Sequence, residues 1–158
     1  MKEGLYCIQS ALSGAFLNLA DGGMDDNTNV QLWDSSGGDW NVWRIVHTEG
    51  ELCGIKSEHC SRFLNLSGGR KQNGTNVKVW GKSANGHNLW RIVPTGEEGV
   101  YGIQSAASGK FLNRAGGSEQ NGANVQVWGD HVSDTRHSTW RIVPQTATNA
   151  RLSIGTEA

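Results

Sequence analysis

The stretch Asn29-Val30-Gln31-Leu32-Trp33 is followed, ten residues after its tryptophan, by Trp43-Arg44-Ile45-Val46. This paired pattern occurs three times in the chain. The second copy reads Asn76-Val77-Lys78-Val79-Trp80 and Trp90-Arg91-Ile92-Val93, and the third reads Asn124-Val125-Gln126-Val127-Trp128 and Trp140-Arg141-Ile142-Val143. Self-similarity at a fixed period is typical of a fold that stacks one supersecondary unit. The chain is therefore interpreted as three copies of one unit.

The spacing within the copies separates packed structure from surface. Phe16, Phe63 and Phe111 lie 47 and 48 residues apart, and each precedes the first tryptophan of its copy by 17 residues. The two tryptophans of a copy are 10, 10 and 12 residues apart, so between the phenylalanine and the second tryptophan of a copy the length varies only in the loops 34–40, 81–87 and 129–137. Variable, Ser-, Gly- and Asp-rich segments of this kind are usually surface loops.

Short runs of β-branched and aromatic residues, each ended by Gly, Asn, Asp or Ser, predict four strands per copy. In the first copy these strands cover 5–9, 15–19, 30–33 and 42–46. Twelve short strands in three equal groups indicate an all-β closed barrel with pseudo-threefold symmetry, the β-trefoil arrangement. We expect one domain over 1–158, with repeats 4–46, 52–93 and 100–143 and a tail 144–158, because one copy alone could not bury enough apolar surface.

The composition excludes several classes of partner. The chain has 14 Lys and Arg against 15 Asp and Glu, and the basic residues are scattered, which argues against binding of nucleic acid. The sequence has neither a long apolar run nor a signal peptide, so we expect no membrane insertion and a protein that is cytoplasmic or exported without a signal peptide. Cys7, Cys53 and Cys60 have no zinc-site spacing, and we expect neither a metal nor a cofactor.

Strand alternation assigns Leu17, Val30 and their equivalents to the core and leaves Asn18, Gln31 and Trp33 facing outwards. An outward tryptophan repeated three times has two explanations. Each indole could be covered by its own variable loop. Alternatively, it could form a platform for a pyranose ring whose hydroxyls bond to the neighbouring amides.

The second tryptophan of each copy stands in the sequence Trp-Arg-Ile-Val. We predict that Trp43, Trp90 and Trp140 belong to the core.

This pattern resembles that of the ricin B-type lectins, a β-trefoil family whose repeats end in a Gln-x-Trp motif. The resemblance covers residues 4–143, and it is carried by Leu-Asn-Leu, Asp-Gly or Gly-Gly, Val-Gln-Leu-Trp and the loop that closes on the second tryptophan. The endings His87-Asn88-Leu89-Trp90 and His137-Ser138-Thr139-Trp140 are similar to those of plant and mushroom members. The resemblance implies a non-catalytic, multivalent lectin for galactose or N-acetylgalactosamine.

The resemblance also implies, for each copy, a hydroxyl acceptor on the second strand, an aromatic platform, a polar partner on the third strand and a closing partner. At the matching positions these are Asn18, Asn65 and Asn113; Trp33, Trp80 and Trp128; Gln31, Lys78 and Gln126; and Trp40, His87 and His137. Asp21, Asn88 and Asp130 lie beside them and complete the candidate carbohydrate-binding residues.

The chain departs from the family at the acceptor, where all three copies have Asn instead of Asp. A neutral amide loses the charge-assisted bond that a carboxylate makes to sugar hydroxyls. Either the specificity differs, or a carboxylate such as Asp21, Asp34 or Asp130 takes over, or the sites are inactive. The pairs Gly22-Gly23, Gly68-Gly69 and Gly116-Gly117 could let backbone amides approach a ligand or could form tight turns.

Three functions are compatible with these observations to different degrees. A glycan-binding lectin, which could be a homodimer through its tail, agrees with the repeated outward residues. A protein-binding trefoil, such as a protease inhibitor or an adhesion module, would instead use one protruding loop such as 129–137. An enzyme is the weakest reading, because no nucleophile motif accompanies Asp130, His131, Asp134 and His137.

Overall fold

The computed structural model describes residues 1–34, 38–81, 86–132 and 136–145, without the side chain of Arg136. The described residues form twelve strands in one antiparallel sheet system, which confirms the all-β prediction. The strands are β1 (Gly4–Ser10), β2 (Phe16–Leu19), β3 (Val30–Trp33), β4 (Val42–His47), β5 (Leu52–Ser57), β6 (Phe63–Leu66), β7 (Val77–Trp80), β8 (Trp90–Pro94), β9 (Val100–Ser105), β10 (Phe111–Arg114), β11 (Val125–Trp128) and β12 (Trp140–Gln145). The predicted tail lies outside the described residues beyond Gln145, which still pairs with Leu5.

Six of the strands close into a barrel. β1 pairs with β4 and β12, β5 pairs with β4 and β8, and β9 pairs with β8 and β12. The other six form the hairpins β2–β3, β6–β7 and β10–β11, one from each copy. This is the β-trefoil fold, and closure leaves the barrel strands with no free edge.

The core repeats threefold because each copy contributes the same inward set. Trp43, Trp90 and Trp140 have 0% exposure, which confirms their assignment to the core. Each indole Nε1 donates to the carbonyl of the hairpin strand in its own copy, at Leu17, Leu64 and Leu112, all at 3.0 Å. The large ring is therefore buried without leaving its one polar group unsatisfied.

Three asparagines join the hairpins around the pseudo-threefold axis. Asn76 Nδ2 donates to Asn29 Oδ1, Asn29 Nδ2 to Asn124 Oδ1, and Asn124 Nδ2 to Asn76 Oδ1, at 2.9, 2.9 and 2.8 Å. An amide suits this ring because it carries one donor group and one acceptor group. The asparagine that opens each Asn-Val-x-x-Trp stretch is thus the contact between copies.

The third copy carries a polar exception in its inward set. Arg114 occupies the position of Leu19 and Leu66 and is 1% exposed. Its Nη1 donates to Gly117 O and Ser118 O at 3.1 and 2.7 Å, whereas Nε and Nη2 have no partner among the described residues. Burial lowers the pKa of this guanidinium, and the nearby charge of Glu119 opposes that shift.

The three cysteines are free thiols, of which Cys53 is buried and Cys7 and Cys60 are half-buried. Within the described part of the chain there is no helix of the length and apolarity needed to cross a membrane.

Candidate functional site

The outer face of each hairpin carries two cross-strand pairs. In the first copy Phe16 lies opposite Trp33 and Asn18 lies opposite Gln31, and the other hairpins repeat this register. Trp33 and Trp128 are 39% and 44% exposed. These two indoles therefore face solvent, as the strand alternation predicts, instead of being buried under their loops.

The asparagines of this face are buried, and their predicted outward exposure was wrong. Asn18, Asn65 and Asn113 are 3%, 8% and 3% exposed. They point away from the barrel core, but the segment that closes each repeat lies over them. Strand alternation fixes the direction of a side chain and cannot predict a segment that folds back over it.

In the first and third copies the buried asparagine links two neighbours. Asn18 Nδ2 donates to Asn41 Oδ1 at 2.7 Å, and Gln31 Nε2 donates to Asn18 Oδ1 at 3.2 Å. In the third copy Asn113 Nδ2 donates to Ser138 Oγ at 3.1 Å, and Gln126 Nε2 donates to Asn113 Oδ1 at 2.9 Å. A carboxylate at either position has no N–H to donate, so this arrangement requires the amide that the sequence has.

The second copy lacks this link. Its asparagine donates from Nδ2 to Leu66 O at 3.1 Å, but Asn65 Oδ1 is buried and has no partner among the described residues. Lys78 replaces the glutamine, and its Nζ lies 5.7 Å from the centroid of the Trp80 ring. Trp80 and Asn88 are both half-buried. Instead of orienting the asparagine, Lys78 covers the aromatic platform.

The closing residues Trp40, His87 and His137 pack on a turn glycine. A Cβ placed on Gly22, Gly69 or Gly117 would overlap the ring of the closing residue in the same copy. These glycines also have φ of 63°, 64° and 67°, where a larger residue is strained.

The glycine pair of the first copy is out of register with the other two. Asp21, with φ of 54°, occupies the position of Gly68 and Gly116, whereas Gly23 has φ of −60°. In the described residues the paired glycines therefore form a tight turn packed under the ring of the closing residue. Asp21 is exposed on this turn in the first copy.

The candidate site of the first copy has a neighbouring side chain that the repeat pattern did not indicate. His59, from the turn between β5 and β6, places Nε2 at 3.2 Å from Gly22 O, and its ring centroid is 6.1 Å from that of Trp40. His59 belongs to the second copy and is not part of the repeated motif, so nothing in the sequence links it to this site.

Asp130 of the third copy is exposed and paired with Lys110, with Nζ at 3.0 Å from Oδ1.

The described residues contain no group of three or more His, Cys, Asp or Glu side chains placed to hold a metal ion. Of the four side chains considered for acid and base chemistry, Asp134 lies outside the described residues. The arrangement that the structure does show, exposed indoles beside positioned amides, suits binding of a polyol.

The sequence matches the family described as ricin-type beta-trefoil lectin domain-like over residues 1–80 and 86–155. The chain belongs to this family of carbohydrate-binding lectins, whose members are generally non-catalytic. Comparison with curated proteins finds no match.

Solved structures confirm the fold. The designed 3-fold symmetric protein ThreeFoil is 28% identical and has a TM-score of 0.84, with 90% of this chain and 99% of that chain covered. The Rhizoctonia solani agglutinin is 20% identical, with a TM-score of 0.80 and coverage of 92% and 97%. An exo-beta-1,3-galactanase from Clostridium thermocellum is 22% identical, with a TM-score of 0.84, but only 30% of that chain is covered against 90% of this one.

Proposed function

We propose that this lectin binds galactose- or N-acetylgalactosamine-type glycans, without catalysis, at shallow sites on the outer faces of its hairpins. The observation that carries the proposal is the exposure of Trp33 and Trp128, 39% and 44%, beside half-buried glutamines. An exposed indole offers an apolar face to the C–H patch of a pyranose, and the amides select hydroxyls around it.

The amide network decides which atoms meet the sugar. Gln31 uses Nε2 for Asn18, and Gln126 uses Nε2 for Asn113. The Oε1 atom of each glutamine is therefore the acceptor for a hydroxyl, and the asparagines position the glutamines from below. Asn18 and Asn113 thus act as positioning residues, whereas the family resemblance assigned them the role of acceptor.

The second copy is the weakest of the three sites in this proposal. A sugar that stacks on Trp80 has to displace the ammonium of Lys78, which lies 5.7 Å from the ring centroid. Asn65 receives no glutamine donor and positions nothing. Two equivalent sites remain, and on a surface covered with glycans their separate weak affinities combine as avidity.

The test is a glycan array on the tagged protein, repeated with free galactose and N-acetylgalactosamine as competitors. Trp33→Ala and Trp128→Ala should each reduce binding to the array by about tenfold, and the double variant should abolish it. Trp80→Ala is the matched control, because it removes the same side chain from the covered platform and should change binding little.

Two results would contradict the proposal. Binding that is lost in Trp80→Ala but kept in the double variant would assign recognition to the second copy alone. A blank array would favour the protein-binding alternative at the loop 129–137, of which residues 133–135 lie outside the described part of the chain.

A further inference from the structure

We propose that the Trp128 site extends across a repeat boundary into a cleft of the second copy, and that this cleft takes an anionic substituent, carboxylate or sulfate, carried next to the galactose-type residue. The inference rests on the proposed function, because it needs a sugar at Trp128. It adds a second subsite at one of the two equivalent platforms.

The cleft lies on the turn between β6 and β7. It has a volume of about 490 Å³ and is lined by residues 67, 70 and 72–76. That volume falls within the usual range for small-ligand sites of roughly 300 to 1,000 Å³. All of its lining residues are polar or glycine, as a site for a hydrated sugar substituent requires.

Three hydrogen bonds, two of them between backbone groups, hold this turn against the third copy. Gly74 N donates to Val127 O at 2.9 Å, Val127 N donates to Thr75 O at 3.0 Å, and Gly129 N donates to Asn73 Oδ1 at 2.9 Å. A Cβ placed on Gly74 would lie 3.8 Å from Trp128 Cζ3 and 3.9 Å from Gln126 Oε1. The cleft and the Trp128 platform therefore share Gly74 as their border.

The charge of this turn differs from that of the other two. Arg70 and Lys71 are exposed, and among the described residues that line the cleft none is acidic. The matching positions are Gly23 and Met24 in the first copy, followed by Asp25 and Asp26, and Ser118 and Glu119 in the third. The turn beside Trp128 is thus cationic, whereas the turns beside Trp80 and Trp33 carry acidic residues.

The equivalent turn of the first copy is occupied by a neighbouring arginine. Arg62 donates from Nε to Met24 O at 2.7 Å and from Nη1 to Asp26 Oδ1 at 2.8 Å. The residue at the matching position of the third copy is Lys110, and its Nζ pairs with Asp130 instead, at 3.0 Å. The arginine contact that crosses the first-copy turn is therefore replaced, beside the second-copy turn, by the pair of Lys110 with Asp130, the carboxylate two residues after Trp128.

Arg70 lines the cleft and gives this subsite its selectivity, and the exposed Lys71 next to it in the chain adds a second positive charge to the turn. An anion bound at the guanidinium gains charge-assisted hydrogen bonds, which are modest at an exposed site and weaken with added salt. We expect the anionic form of a galactoside to bind roughly fivefold more tightly than the neutral form at low salt.

The experiment is isothermal titration of the purified protein with lactose and with lactose derivatives that carry sulfate or sialic acid on the galactose 3- or 6-hydroxyl. The two kinds of derivative distinguish sulfate from carboxylate as the preferred anion. The variant Arg70→Ser with Lys71→Ser should remove the preference for the anionic ligands and leave lactose affinity unchanged. Lys2→Glu is the control, because it changes the net charge by the same amount at an exposed site at the N-terminus.

Platform variants separate this inference from the proposed function. Trp128→Ala should abolish the preference for anionic ligands, whereas Trp33→Ala should keep it. If lactose binds and the Arg70, Lys71 double variant leaves the preference unchanged, or if no preference exists, the inference is overturned and the proposed function stands. If neither lactose nor any derivative binds, both are overturned.

Discussion

Replacing Lys78 with glutamine should make the protein more stable, although it removes a charged side chain from the surface. The variant gives the second copy the glutamine that the first and third copies have. In those copies the glutamine Nε2 donates to the buried asparagine at 3.2 and 2.9 Å. In the wild type Asn65 Oδ1 has no such donor among the described residues.

The expected change in the free energy of unfolding is the difference between two contributions. A buried acceptor without a partner costs about 1 to 3 kcal/mol, and Lys78→Gln removes most of this cost. The lost contact between Lys78 Nζ and the Trp80 ring, at 5.7 Å, is worth about 0.5 kcal/mol at a partly exposed site. The expected net gain is about 1 kcal/mol, which corresponds to a rise in Tm of about 3 °C for a chain of this size.

Urea unfolding followed by tryptophan fluorescence measures the change, and Lys78→Met is the matched control. Methionine removes the ammonium and keeps a similar length but supplies no donor, so this variant should be about 0.5 kcal/mol less stable than the wild type. Equal stabilities for Lys78→Gln and Lys78→Met would refute the reasoning, because they would show that Asn65 gains nothing from a donor at position 78. Glutamine should also uncover Trp80 and add a third lactose site.

Three further predictions concern the core and the axis. Asn76→Ala should cost about 2 kcal/mol by leaving two amide groups of the axial ring unsatisfied, and Asn29→Ala should cost less in that background than alone, as a double-mutant cycle in urea would show. Arg114→Leu should raise the free energy of unfolding by about 1 kcal/mol or more, since a buried cation with two unsatisfied groups gives way to an apolar side chain; a loss of stability would contradict this. Burial raises the pKa of the Cys53 thiol to about 11 from 9.0, so below pH 9 the protonated thiol contributes its full stability. Between pH 9 and 11 the thiol ionises in the unfolded state but not in the folded state, so the free energy of unfolding falls by about 2 to 3 kcal/mol. Cys53→Ala should lose this part of the pH dependence.

The sequence by itself determined the fold. Three copies of one hydrophobic pattern at constant spacing admit few arrangements, and the period of two within each run assigns Trp43, Trp90 and Trp140 to the core and Trp33 and Trp128 to the surface. The strands begin and end within one or two residues of the prediction because glycine, asparagine and serine at their ends act locally. The family followed from the same local pattern.

Only the tertiary structure decided how the site is built, because its contacts join residues that are distant along the chain. Asn18 is covered by Asn41, which is 23 residues further on, and His59 reaches the first site from the second copy. The turn that carries Arg70 lies against Trp128, in another repeat, since the threefold arrangement packs each turn on the next hairpin. Alternation along a strand gives the direction of a side chain, whereas its exposure and its partners depend on what the rest of the chain places over it.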